Sequence, residues 1–267
     1  MKKDTREKKL ASSVRVVLMR TTHPGNIGAV ARAMKNMGLN QLCLVSGADE
    51  SSQEARRRAA GAENILETAC VTTSIDEALE GVQLVIGASA RSRKMVWPLM
   101  NPRDCAALIE ENVFTTGSTV PVKIALLFGQ EASGLSNEEL QRCHYHVNIP
   151  AVAEFSSLNL AMAVQLICYE IRMAMLLDKT NDAPSLLTGS ILSSDDEGWD
   201  EPPALVEEVE GFFKHLEETL IKIGFHDPDN PRLLMTRLRR LYQRAHLDKM
   251  EVNILRGILS ASQKHTK

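Results

Sequence analysis

Aromatic residues make up only 4% of this 267-residue chain. So few leave little for the stacked ring platforms on which sequence-tolerant single-strand binders hold bases. There is no Cys-x-x-Cys pair. The five cysteines, Cys43, Cys70, Cys105, Cys143 and Cys168, are scattered and odd in number. That usage argues against a disulfide framework and for unpaired thiols in a reducing, cytoplasmic setting. Long hydrophobic runs are missing too. The longest apolar stretch, residues 158–168, contains Asn159 and Gln165 and is too short to span a bilayer, so no membrane partner is expected. The first nine residues are charged and lack an apolar segment, which reads as a flexible tail over 1–11 rather than a signal peptide. Gly-x-Gly-x-x-Gly, Walker and Gly-x-Ser-x-Gly motifs are absent, which removes the usual dinucleotide, NTPase and hydrolase signatures. His144 and His146 would share a strand face, but two ligands do not make a zinc site, and no metal is expected.

What is present is an ordinary globular composition, 44% apolar and 24% charged, with a formal net charge of -3. The charge is uneven. Between Asp195 and Glu210 lie eight acids and no Lys or Arg, so the rest of the chain is mildly basic. Local potential steers ligands more than the total does.

Strand-like and helix-like segments alternate along residues 12–180. Val14 to Met19 is a compact β-branched run, Leu42 to Val45 and Leu84 to Gly87 are similar, and Ile124 to Phe128 is wholly apolar. Thr21 to Asn26 reads as a turn, Ile27 to Met37 as a helix closed by Gly38, and Ser51 to Ala60 as a helix exposing Arg56, Arg57 and Arg58. Ser136 followed by Glu139 predicts a capping box, Tyr145 to Ile149 a last strand, and Ser157 to Leu177 one long helix. Such alternation predicts an α/β domain built on a parallel sheet. Residues 181–203 are rich in Ser, Asp, Pro and Gly and read as a linker. Residues 204–267 carry only helical patterns, a module of a size at which folding alone becomes marginal.

Four stretches could carry chemistry. Asn26-Ile-Gly-Ala-Val-Ala-Arg32 opens a helix, where free amides attract anions. Read alone, it fits a plain amphipathic helix better. Gly129-Gln-Glu131-Ala-Ser-Gly134 follows the strand 124–128, and a glycine there would let a ligand approach the backbone. Ser156-Ser157-Leu158-Asn159 precedes an apolar helix, and the serines alone could be an N-cap. Ala88-Ser89-Ala90, followed by Arg91 and Arg93, trails the strand 84–87 and is equally a surface loop. Each lies where a strand ends, the place at which open α/β sheets gather ligands. On the penultimate helical pattern, Arg237, Arg240 and Arg244 share a face that RNA phosphates or solvent could meet.

Taken in order, the stretch from Asn26 to Asn36, that from Leu127 to Leu140, and Ile149-Pro150 with Ser156 to Ala161 resemble the three motifs of the SPOUT RNA methyltransferases. The nearest likeness is to the group that methylates a ribose 2′-hydroxyl in the tRNA anticodon loop. It extends into the helical tail, through Arg-Leu-Arg-Arg-Leu and Asn253-Ile-Leu-Arg-Gly-Ile-Leu. The resemblance implies a Rossmann-like α/β domain with a C-terminal trefoil knot, a homodimer, and S-adenosylmethionine as cofactor. The implied cofactor contacts are Ala88, Ser89, Ala90, Gly129, Ile149, Ser156, Ser157 and Leu158. Arg32 takes the place of the catalytic arginine, while Asn26, Glu131 and Asn159 match further motif positions. The gap 151–155 departs from relatives in the placing of its proline. The implied substrate is tRNA, at the pyrimidine of nucleotide 32. Another RNA, such as rRNA, or a non-catalytic RNA-binding dimer are the alternatives.

Overall fold

The computed structural model describes residues 3–89, 98–114, 122–176 and 201–265. They fall into two compact units, Met1–Ala78 with Leu84–Ser194, and Leu79–Gln83 with Asp195–Lys267.

The first unit is built on seven parallel strands: β1 Val14–Met19, β2 Gln41–Val45, β3 Cys70–Thr72, β4 Leu84–Ala88, β5 Leu99–Met100, β6 Ile124–Phe128 and β7 Tyr145–Val147. Their order across the sheet is β3-β2-β1-β6-β4-β7-β5. Strand β6 thus inserts between β1 and β4, and Phe128 stands level with both Leu18 and Ala88. The chain therefore leaves three neighbouring strands at the same height, which brings the loops after β1, β4 and β6 together.

The central strands are largely apolar because both faces are covered, as parallel sheets require, whereas β3 and β5 at the sheet's edges are partly exposed. On one face Val16, Leu18, Leu44, Ile86, Leu126 and Phe128 join a core with helices α2 (Pro24–Asn36), α6 (Pro102–Phe114) and α8 (Leu160–Leu176). On the other, Val17, Cys43, Val85, Ala125 and Leu127 are equally buried. Helix α3 (Gln53–Ala59) lies so close to α2 that a Cβ on Gly28 would sit 2.0 Å from the Ala55 carbonyl oxygen. Gly28 is thus a packing residue, not an anion cradle.

Several sequence expectations change. Residues 1–11 were expected to be a loose tail, but Lys3–Ser13 is helix α1. Leu10 is buried in the core, Arg6 pairs with Glu110 at 2.9 Å and Glu7 with Arg172 at 3.0 Å, so the polar sequence hides one apolar anchor and two ion pairs. Residues 21–26 are not all turn. Helix α2 starts at Pro24, because proline suits the first helical position. The long helix begins at Leu160 rather than Ser157, since Asn159 Oδ1 takes the Ala161 N–H at 2.9 Å and caps it there. Helix α4 (Glu63–Glu67), strand β5 and helix α6 have no counterpart in the sequence reading, and a short helix α5 (Ile75–Ala78) follows β3. The capping box does form: Ser136 N–H donates to Glu139 at 2.7 Å, and Glu139 N–H to Ser136 Oγ at 3.2 Å, opening α7 (Asn137–Gln141).

The second unit contains α9 (Val206–Lys222), α10 (Leu234–Ala245) and α11 (Lys249–His265). Phe212, Phe213, Leu216 and Val252 form its core, and Tyr242 meets Phe212 edge-on with ring centroids 4.9 Å apart. Arg239 locks α10 to α9 through two bonds to Glu210, at 2.6 and 2.8 Å, while its guanidinium covers the Phe213 ring. One arginine of the basic α10 sequence is therefore structural, whereas Arg237, Arg240 and Arg244 were the ones read as a basic face. Among the described residues no helix is long and apolar enough to cross a membrane.

Candidate functional site

A cavity of about 270 Å³ opens at the carboxyl ends of β4, β6 and β7. Its lining includes Ala88, Ser89, Gly129, Ile149, Ser156, Ser157 and Leu158. Seven residues picked from three separated stretches thus meet around one space. Ala90, with Arg91 and Arg93, lies outside the described residues.

The cavity walls are largely backbone and small side chains, held in place by strand-end hydrogen bonds. Ser89 N–H donates to Val147 O at 3.0 Å, and Asn148 Nδ2 returns a bond to Ser89 O at 2.9 Å. Asn148 escaped the sequence reading, although a polar residue directly after an apolar strand was a usable signal. Gly129 is fixed by the opposite wall: a Cβ there would fall 2.0 Å from the Gly134 carbonyl carbon and 2.1 Å from Leu135 N. Gly87 is similar, with Cys143 Sγ 2.6 Å from where its Cβ would be. At Gly129 backbone meets backbone because no side chain separates them, whereas at Gly87 the neighbour is the Cys143 side chain.

Beside the cavity, the three stretches are tied by one polar relay. Glu131 Oε1 accepts from Asn26 Nδ2 at 2.9 Å, and Asn26 Oδ1 accepts from Asn159 Nδ2 at 3.0 Å. Thr22 adds its N–H to Glu131 Oε2 at 3.2 Å and its hydroxyl at 3.3 Å. Burial works against the charge on Glu131, but the bonds from Asn26 and from the amides of Glu131, Thr22 and His23 outweigh it and hold the carboxyl below its ordinary range. An ionised carboxylate is the acceptor that orients the Asn26 amide, and through it Asn159.

Glu131→Gln should therefore lower stability by about 1 kcal/mol, the small end for a charge-assisted bond because the group is partly exposed. The sign with pH follows from the depressed value. The contribution is present above the ordinary carboxylate value of 4.5 and is lost as pH falls through the lower folded value. Thermal melts of wild type and variant should differ at neutral pH and converge in acid. A constant gap at every pH would remove the ionised role.

Further out, Arg20, at a positive φ of 51°, pairs with Glu139 through both guanidinium nitrogens. That bond anchors the end of β1 to the α7 cap, and the hydrogen bond to Glu139 raises the Arg20 pKa despite partial burial. Arg32 is exposed on α2, does not line the cavity, and has no side-chain hydrogen bond or ion pair with any described residue. His144 and His146 are taken up structurally: Nδ1 of His144 accepts Val85 N–H at 3.1 Å, and Nε2 of His146 lies 3.1 Å from Leu140 O. Among the described residues no three His, Cys, Asp or Glu side chains could hold a metal ion.

A parallel sheet whose strand-end loops enclose such a cavity is the arrangement of a SpoU-type methylase. The sequence pattern of the SpoU rRNA Methylase family matches residues 13–169, and that of the tRNA methyltransferase TrmJ, C-terminal domain, matches residues 207–267. The tRNA (cytidine/uridine/adenosine-2′-O-)-methyltransferase TrmJ of Pseudomonas aeruginosa is 48% identical over 258 residues, covering 94% of each chain. The tRNA (cytidine/uridine-2′-O-)-methyltransferase TrmJ of Escherichia coli K12 is 44% identical, covering 97% of this chain and 98% of its own. The crystal structure of TrmJ from Z. mobilis ZM4 superimposes with a TM-score of 0.74 at 32% identity, over 92% of this chain and 97% of that one. The chain belongs to the TrmJ family of SpoU-type RNA methyltransferases.

Proposed function

We propose that this protein methylates the ribose 2′-hydroxyl of tRNA, at the pyrimidine of nucleotide 32, and that it works in the cytoplasm as a homodimer. The observation that carries the reading is one cavity lined by the second and third motif stretches and the end of β4, with the first motif tied beside it by the Asn26–Glu131–Asn159 relay. The TrmJ names of full-length relatives supply the substrate class.

The cavity suits S-adenosylmethionine. The backbone at Gly129 and the hydroxyls of Ser156 and Ser157 offer polar partners, while Ile149, Leu158 and Leu135 offer apolar contact. Gly129 leaves the space that a Cβ would fill. When bound, that cofactor supplies a methyl group on a positively charged sulfur, so the electrophile is already activated. What the protein must do is align a ribose oxygen with it and help that oxygen shed its proton. Alignment of reactants can contribute on the order of 7–11 kcal/mol. A guanidinium keeps its proton, so Arg32 acts as a cation and not as a base: it grips the adjacent phosphate and stabilises negative charge growing on the 2′-oxygen. Arg32 is off the cavity lining, so RNA must bridge the two, within one subunit or across the dimer.

Support for a homodimer comes from α8. Met162, Leu166, Tyr169 and Leu176 are each more than 40% exposed, and Met173 completes a stripe at helical spacing. Val152 and Phe155, 66% and 80% exposed, lie just before it. So continuous an apolar face on a helix invites a second copy.

Calorimetry should show S-adenosylmethionine binding, and mass mapping should place a methyl on the ribose of nucleotide 32 in tRNA incubated with the protein. Light scattering should give a dimer, and Leu166→Glu a monomer. Absence of heat with the cofactor would favour a non-catalytic RNA-binding protein. A methyl on a base would sink the ribose assignment.

A further inference from the structure

A second cavity, of about 410 Å³, lies between α2 and α3 on the far side of the relay. That size is within the ~300–1,000 Å³ typical of small-ligand sites. Asn26 and Asn159 form one wall, and His23, Glu54 and Arg58 contribute the rest of the polar lining. Position 32 is three residues beyond Ala29, which also lines the space, so Arg32 flanks it on the same face of α2.

Two features mark it as more than a gap between helices. First, the absent side chain of Gly25 makes room for a carboxylate: a Cβ there would stand 2.8 Å from Glu54 Oε1. Second, His23, Arg32, Glu54 and Arg58 make no side-chain hydrogen bond or ion pair with any described residue. Neighbouring ion pairs do form on α3, where Arg56 approaches Glu67 at 3.8 Å. An arginine, a carboxylate and an imidazole thus line one space with their bonding capacity unspent, and Arg32 flanks it.

We propose that this cavity receives the target nucleotide of the RNA, with Arg58 on a backbone phosphate and Glu54 on the base. The inference rests on the tRNA reading above and deepens it. A carboxylate facing an RNA chain would be repelled by phosphates unless a donor meets it. Cytosine offers an N4 amino hydrogen, and uracil an N3 hydrogen, on adjacent positions of the pairing edge. One carboxylate can accept from either, and an unpaired base in a loop exposes that edge. Arg58 supplies the phosphate grip that a guanidinium fork favours. Because α2 carries both Asn26 and Arg32, a nucleotide held here lies between the relay and the proposed catalytic cation.

The test is steady-state methylation of unmodified tRNA by the full-length protein over a range of salt concentrations. Arg58→Ala should raise KM for tRNA about 10-fold with kcat within about 2-fold, and reduce the salt slope of RNA binding by about one. Glu54→Ala should lower kcat/KM about 10-fold, and Glu54→Gln, which keeps an acceptor oxygen, should recover most of it. Cofactor affinity and melting temperature should stay at wild-type values in all three. If Arg58→Ala keeps the wild-type KM and salt slope, or Glu54→Ala the wild-type kcat/KM, the inference fails while the methyltransferase reading stands. A wild-type protein inert on every tRNA would overturn both.

Discussion

Arg32→Ala should lower kcat for tRNA methylation by about 10²–10³-fold, the loss seen when one preorganised donor to a developing oxyanion is removed. The fold should not notice. Arg32 is exposed, and its side chain has no hydrogen bond or ion pair with a described residue, so its removal strands no partner. Cofactor affinity should be unchanged, because Arg32 is absent from the cavity lining. Arg32→Lys is the informative companion. It restores a charge but not the planar fork, and should recover only part of the rate. Rapid-quench kinetics at saturating tRNA separates the chemical step from RNA binding. Full activity in Arg32→Ala would remove the residue from the mechanism, and a loss confined to KM would make it a binding residue only.

Gly129→Ala should do greater damage for one methyl group than any exposed substitution. The new Cβ would stand 2.0 Å from one backbone atom and 2.1 Å from another, and backbone cannot swing aside as a side-chain tip can. Overpacking usually costs about 1–3 kcal/mol, and a clash with main chain belongs at or above that upper figure. For a chain of this size 3 kcal/mol corresponds to a fall in Tm of about 6–12 °C. Both touching segments line the cavity, so even a variant that folds should bind cofactor weakly. Gly257→Ala provides the contrast. It sits in α11 with nothing within 4 Å of the added carbon, and alanine is the better helix former, so stability should hold or rise by up to about 1 kcal/mol. Melting curves and cofactor titrations of the two variants decide the matter. Equal behaviour would mean that the 129–135 contact is looser than drawn.

Much of this was readable before any coordinates. Strands buried on both faces announce themselves as apolar runs, unbroken in β4 and β6 and interrupted only by Arg15 in β1. The capping box at Ser136 was legible because its two partners lie three residues apart. The cavity residues were identifiable as strand-end positions filled by small side chains. What stayed hidden depends on distant partners. Helix α1 looked like a charged tail because Arg6 and Glu7 find their counterparts at Glu110 and Arg172. Helix α8 begins late because Asn159 caps it through Ala161 N–H, and the Asn159 amide is in turn held by Asn26, 133 residues away. Glu54 drew no notice, and Arg58 was read only as one of three arginines on an exposed helix face, since nothing in their local spacing sets them apart from solvated residues. Only the packing of α3 against α2 turns them toward a common space.

The position of β6 has a consequence for how the protein is made. Strand β1 emerges first from the ribosome, yet one of its two neighbours is encoded more than a hundred residues later. Until Ile124 to Phe128 has cleared the exit tunnel, the nascent chain carries Val14 to Met19 with a bare edge, the kind that pairs with other chains. The centre of the sheet thus closes late, with only β7 still to follow between β4 and β5, so the N-terminal half waits with an open edge for β6.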